Sequence, residues 1–172
     1  TIEELRQQGK TRYLGVSNYN VEQMQAALKI TRIHSLQPRY NILDREIEAE
    51  TIPFCEQEGI GILVYSPLAQ GVLGGKYKPG HKFADDDVRR KQDRTFREID
   101  ELTPKLEALR GIAERRGKSF VQLVMNSLLR QDAVTCLLVS CRTNEQALEN
   151  VGAQGWRLTD EDWKEIERIL GE

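Results

Sequence analysis

The sequence predicts an α/β fold built on a parallel sheet, and three observations carry that reading. Short apolar runs alternate with stretches of helical periodicity along the 172 residues. The central stretch, Gly59-Ile-Gly-Ile-Leu-Val-Tyr-Ser-Pro-Leu-Ala-Gln-Gly71, is apolar from Ile62 to Val64 with no alternation. That is the pattern of a strand covered on both faces. The run stops at Tyr65-Ser66-Pro67, because proline brings no N–H to a ladder. A phenol and a hydroxyl are left at the strand's carboxyl end, where α/β proteins hold their ligands.

Each element follows in turn. Residues 1–8 read as the end of a helix closed by Gly9; an opening already in helical register suggests a cut piece. Tyr13 to Val16 is a strand ending in Ser17-Asn18, and Asn20 with Gln23 makes a capping box for a helix in which Val21, Met24 and Leu28 have helical spacing. Ile33 to Gln37 is the second strand, stopped by Pro38. Glu46 to Glu58 is helical, with Pro53 starting a fresh turn and Gly59 closing it. Residues 71–101 form a long connection rich in glycine and charge, of the kind that serves as a lid or mobile segment. Thr103-Pro104 starts a helix with Leu106, Leu109, Ile112 and Ala113 on one stripe, ended by Gly117. Ser119 with Gln122 opens a helix with Val121, Val124 and Leu128 inward. Val134 to Val139 is the fourth strand; Thr143 with Gln146 caps a short helix reaching about Gly152; Thr159 begins the last helix, with Trp163, Ile166 and Leu170 on one side. The crossovers are long enough to be parallel. Residues 1–172 form one domain, and four strands make either an open sheet or half of a (β/α)8 barrel, which needs about 250 residues.

Composition narrows the function classes. Lysine and arginine number 25 against 27 aspartate and glutamate, a formal charge of −2, so no basic face for nucleic acid is expected. No apolar run reaches membrane-spanning length. Cys55, Cys136 and Cys141 form no C-x-x-C and lie in or beside apolar runs. They read as buried thiols in a reducing cytoplasm. His34 reads as structural and His81 as solvated; neither has metal-ligand spacing.

Polar groups end three strands: Ser17-Asn18, Gln37 and Tyr65-Ser66. Together they offer amide-sized donors and acceptors and a flat ring, a mouth for a planar carboxamide heterocycle. The same residues also serve as turn formers, a satisfied buried amide and a packed core ring. Ser140-Cys-Arg-Thr-Asn-Glu-Gln146 leads from the fourth strand into a helix N-terminus, a place for an anion with Arg142 as a fork. Thr143 and Gln146 compete for those N–H groups as a capping box. No nucleophile, base and orienter stand together.

Taken in order, Gly9-Lys-Thr-Arg-Tyr-Leu-Gly-Val-Ser-Asn18, Leu36-Gln-Pro-Arg-Tyr-Asn-Ile-Leu-Asp-Arg-Glu46, Tyr65-Ser-Pro-Leu-Ala-Gln-Gly-Val-Leu-Gly-Gly-Lys-Tyr77 and Glu145-Gln-Ala-Leu-Glu-Asn150 resemble the aldo-keto reductases. The resemblance implies a TIM barrel of which this chain is the second half, binding NADP(H) and reducing aldehydes or ketones. It implies that Ser17, Asn18 and Gln37 hold the nicotinamide carboxamide and that Tyr65 stacks on the ring. Ser66, Leu68, Gly71 and Lys76 would lie along the pyrophosphate. Ser140 and Arg142 would face the adenosine 2′-phosphate, with Gln146, Glu149 and Asn150 at the adenosine end. The family's catalytic Asp, Tyr, Lys and His fall on barrel units that have no counterpart here, and Tyr65 is not that tyrosine. Val139-Ser-Cys-Arg142 departs from the commoner Pro-Gly-Ala-Arg or Pro-Lys-Ser, which leaves NAD(H) open beside NADP(H). The other class of function is a non-catalytic nucleotide-binding or interaction module that self-associates or pairs with a missing half.

Overall fold

Four short strands pair side by side in chain order, all parallel. A computed structural model describes residues 1–77, 81, 83–87 and 99–171. The strands are β1 (Gly15–Ser17), β2 (Ser35–Gln37), β3 (Gly61–Tyr65) and β4 (Val134–Leu138). The helices among the described residues are α1 (Ile2–Gln7), α2 (Val21–Leu28), α3 (Thr51–Glu58), α4 (Ile99–Arg115), α5 (Phe120–Leu129), α6 (Asn144–Val151) and α7 (Asp160–Leu170). Short 3-10 turns run over Glu46–Glu48 and Ala69–Gly74.

Local chemistry sets the helix starts. Asn20 with Gln23 and Ser119 with Gln122 each exchange the two bonds of a capping box, and so do Thr159 with Asp162. The first two strands start two residues later than expected, and two expected helices differ. The stretch Glu46–Glu58 splits into a 3-10 turn and α3, because Glu50 leaves helical geometry at φ −132°. Pro53 then falls in the first turn of α3, where its missing N–H has no intrahelical partner to lose. The helix expected from Thr103 is already formed at Ile99, with Pro104 inside it. The Thr103 hydroxyl donates to the Ile99 carbonyl at 2.7 Å, engaging one of the acceptors of that first turn. Gly80 and residues 88–98, with most of the expected charged run, lie outside the described residues.

The sheet has one covered face and one open face, which corrects the expectation that β3 is covered on both. Ile62 and Val64 are fully buried, whereas Gly61, Leu63 and Tyr65 are only half-buried. Leu36 pairs with Ile62 on the covered face. That face meets the main core, in which Met24, Tyr40, Leu109, Ile112, Leu123 and Leu128 are all buried, and Val121, Met125 and Ala153 form a second, smaller apolar cluster. The unbroken apolar run hid the alternation, because Leu63 is apolar on the open side. The open face is built from small residues at its lower level. A Cβ on Gly15 would stand 2.4 Å from Ser35 Oγ, and one on Gly61 would stand 2.8 Å from Thr135 Oγ1. Thr135 falls where the β3–β4 register slips, so it is the extra residue of a bulge.

Trp163 anchors α7 in the core, with the Arg130 and Arg45 guanidinium groups over its ring at 4.6 and 4.9 Å. Arg45 also forks onto Glu48 at 2.8 and 2.7 Å. Tyr40 donates its buried phenol to Glu48 at 2.5 Å. Burial, then the hydrogen bond to Glu48 and its charge, raises that phenol's pKa. Of the thiols only Cys55 is buried, and burial pushes it up to about 11. Cys136 and Cys141 are exposed, because one lies on the open face and the other in the loop after β4. His34 is structural as expected, its Nδ1 accepting the Leu14 N–H at 3.2 Å. His81 is exposed but also packs on the rings of Tyr77 and Phe83, each 4.7 Å away.

Candidate dinucleotide site at the carboxyl edge of the sheet

In a parallel sheet every strand ends at the same edge, so the polar strand ends share one mouth. Register makes this concrete: Ser17 is level with Gln37, and Tyr65 with Leu138. Three inter-strand steps of about 4.8 Å carry the mouth some 14 Å from β1 to β4, with the loop Ser140–Thr143 directly beyond β4.

The β1 end is tied to β2 twice. Ser17 Oγ donates to the Gln37 carbonyl at 3.1 Å, and so does the Asn18 N–H at 3.1 Å. Asn18 itself takes φ +55°, a conformation that asparagine tolerates better than most residues. The Ser17 hydroxyl proton is therefore used to tie two strands rather than to form the expected turn, and the oxygen keeps its acceptor capacity. The side-chain amides of Asn18 and Gln37 are exposed and carry no hydrogen bond within the described residues.

The β3 end turns sharply. Ser66, Ala69, Gln70 and Gly71 all have positive φ, with Gly71 at +102°. A Cβ on Gly71 would stand 3.0 Å from the Tyr77 ring, so this turn is packed under an aromatic side chain. Tyr65, Ser66 and Leu68 are half-buried, and Lys76 is exposed. Leu68 packs against both apolar clusters, which makes it a core contact as well as a mouth residue.

The β4 loop differs from the expected capping box. Thr143 Oγ1 accepts the Gln146 N–H at 3.3 Å, but the Gln146 side chain reaches one residue further back and takes the Arg142 N–H at 2.7 Å. The Glu145 carboxyl is held below its usual range by its own N–H, then by the Thr143 hydroxyl. Several donors at the start of α6 are thus occupied internally. The uncommitted positive group is the exposed Arg142 guanidinium, which makes no ion pair among the described residues. Ser140 is exposed beside it, while Glu149 and Asn150 are half-buried on α6. Glu149 lines a cleft of about 280 Å³ with Gly74, Arg110, Lys118, Ser119 and Phe120. Its carbonyl accepts from Gln122 Nε2 at 3.1 Å, which links α6 to α5.

Two site features escaped sequence reading. Asn41 is 1% exposed and bonds the Ser66 carbonyl. Arg39 pairs with Asp44 at 2.7 Å beside Tyr65. The Leu36–Glu46 segment was singled out, but no local spacing marked these residues as supports of the mouth.

The sequence profile of the Aldo/keto reductase family matches residues 1–170. The chain belongs to the aldo/keto reductase family. It is 33% identical to the aldo-keto reductase YhdN of Bacillus subtilis, over 98% of this chain and 52% of that protein. It is 32% identical to the NADH-specific methylglyoxal reductase of Escherichia coli, over 94% of this chain and 49% of that protein. Among solved structures, the glycerol dehydrogenase of Gluconobacter oxydans superposes with a TM-score of 0.88 at 32% identity, covering 98% of this chain and 52% of that one. An aldo/keto reductase from Klebsiella pneumoniae in complex with NADP and acetate superposes at 0.73 with 26% identity, covering 98% and 51%. The chain therefore spans about half the length of the relatives it matches. Its four parallel strands and flanking helices are part of the family's (β/α)8 barrel. Among the described residues no helix is long and apolar enough to cross a membrane.

Proposed function

We propose that this chain is a single domain supplying the dinucleotide-holding half of a cytoplasmic NADP(H)-dependent reductase of aldehydes and ketones. One observation carries the reading. The Asn18 and Gln37 amides, the Lys76 ammonium and the Arg142 guanidinium follow the carboxyl ends of the strands and have no partner among the described residues. They suit the group chemically: amides for a carboxamide, cations for phosphates.

Ser17, Asn18 and Gln37 would hold the nicotinamide carboxamide, and Tyr65 would lie against the ring. Ser66, Leu68, Gly71 and Lys76 would line the pyrophosphate. Ser140 and Arg142 would take the 2′-phosphate, and Gln146, Glu149 and Asn150 the adenosine end. The dinucleotide, when bound, supplies a hydride to a small carbonyl substrate. This half orients that donor and excludes water from one side of it; the proton donor belongs to the part of the barrel this chain lacks. NADP(H) rather than NAD(H) rests on Arg142 alone, and one named relative is NADH-specific. The open face and the outer edges of β1 and β4 favour a second reading, an interaction module that pairs with another chain.

Titration of NADPH into the purified chain tests the proposal. The thermal midpoint rises with ligand concentration, while carbonyl-dependent NADPH oxidation stays at the level of a heat-treated control. An unmoved midpoint at millimolar NADPH sinks the proposal. Turnover by the chain alone contradicts the placement of the acid–base groups elsewhere.

A further inference from the structure

We infer that Asn41 is a positioning residue that fixes the turn after β3 and so sets how Ser66 to Gly71 meet the dinucleotide; the ligand part of this rests on the function proposed above. The β2–β3 ladder continues past Gln37. Tyr65 donates its N–H to the Pro38 carbonyl at 3.0 Å, and Tyr40 donates to the Tyr65 carbonyl at 3.3 Å. The next rung is made by a side chain. Asn41 Nδ2 donates to the Ser66 carbonyl at 3.4 Å, while Asn41 Oδ1 accepts the Leu43 N–H at 3.0 Å.

The platform behind that amide is rigid. Asn41 and Asp44 exchange backbone bonds at 3.3 and 3.0 Å, and the Arg39–Asp44 ion pair closes the same turn. The turn in front of it is not self-sufficient. Ser66, Ala69 and Gln70 are non-glycine residues at φ +54°, +44° and +53°, a conformation that persists only where surroundings over-determine it. The Ser66 carbonyl is the hub, because it also accepts the Ala69 N–H at 3.0 Å. Freeing it from Asn41 lets the whole turn move. A buried amide with both ends engaged is the economical way to hold a backbone carbonyl where no strand is left to pair with it.

Asn41→Asp isolates the effect. It keeps the acceptor for Leu43 and replaces the donor to Ser66 by a carboxylate oxygen that faces the carbonyl. In the ligand-free chain, amide exchange at Ala69 and Gly71 quickens about tenfold, the loss of one such bond, while Leu43 is unchanged. NADPH binding weakens by a similar factor at alkaline pH. It recovers at lower pH as the introduced carboxyl takes a proton and regains a donor; the unsubstituted chain shows no such recovery. Unchanged exchange at Ala69 and Gly71 overturns the inference, as does weakened binding with no recovery. If Asn41→Asp does not fold, Asn41→Ser, too short to reach Ser66, is read by the same exchange experiment. If the unsubstituted chain binds no NADPH, the functional proposal fails, and the ligand-free amides still decide this one.

Discussion

Replacing Asn126 by alanine should destabilise the chain by about 3–5 kcal/mol, lowering the thermal midpoint by about 10 °C. Asn126 is 4% exposed and ties α5 to the loop before α7 by three bonds. Its Nδ2 donates to the carbonyls of Ala153 and Trp156, both at 2.9 Å, and its Oδ1 accepts the Leu158 N–H at 3.1 Å. Truncation leaves three backbone groups without partners in a buried place, each a desolvation cost rather than a simple lost contact. Asn126→Asp should do no better, since a carboxylate would face two carbonyls. Denaturant melts of both variants, set beside the exposed control Gln154→Ala, measure the effect. A loss under about 1 kcal/mol for Asn126→Ala would mean that water or a rearranged loop replaces the amide.

Arg142→Ala should weaken NADPH binding about 10- to 100-fold, the range for losing a charge-assisted phosphate contact. NADH binding should change by no more than about twofold, because NADH has no 2′-phosphate for that contact. The contrast matters because the start of α6 is already engaged. Gln146 holds the Arg142 N–H, Thr143 holds the Gln146 N–H, and Glu145 adds a negative charge. With the helix terminus so occupied, discrimination falls to one guanidinium. Parallel calorimetric titrations with both nucleotides read the ratio. Equal losses for the two would remove Arg142 from the 2′-phosphate.

What the sequence made legible was what local chemistry decides. The boxes at Asn20 and Ser119 need only a polar residue three positions before a Gln, and both form as expected. The fourth strand ends within one residue of expectation, because the apolar run from Val134 has no competing pattern. The misses have a common cause. Gln146 can reach either Thr143 or Arg142, and only the loop's path decides between them. Pro104 looks like a helix start until the chain before it is seen to be helical already. Leu63 is apolar, so the sequence could not say that its face of β3 lies open. Cys136 and Cys141 are exposed for the same reason: an apolar neighbourhood in sequence is not a covered one in space. Asn41 and Asn126 carry no spacing signal for their long-range bonds, since Asn41 reaches Ser66 and Asn126 reaches Ala153, Trp156 and Leu158, all 25 or more positions away.

The central claim is that four neighbouring strand ends grip one dinucleotide along its length. Backbone amide resonances of the isotope-labelled chain, followed through an NADPH titration, test it most directly. The account predicts concerted shifts with one binding curve at Ser17–Asn18, Gln37, Tyr65–Gly71 and Ser140–Asn150, with α1 and α7 silent. Shifts confined to one of these segments, scattered over the helices, or following different curves would contradict it.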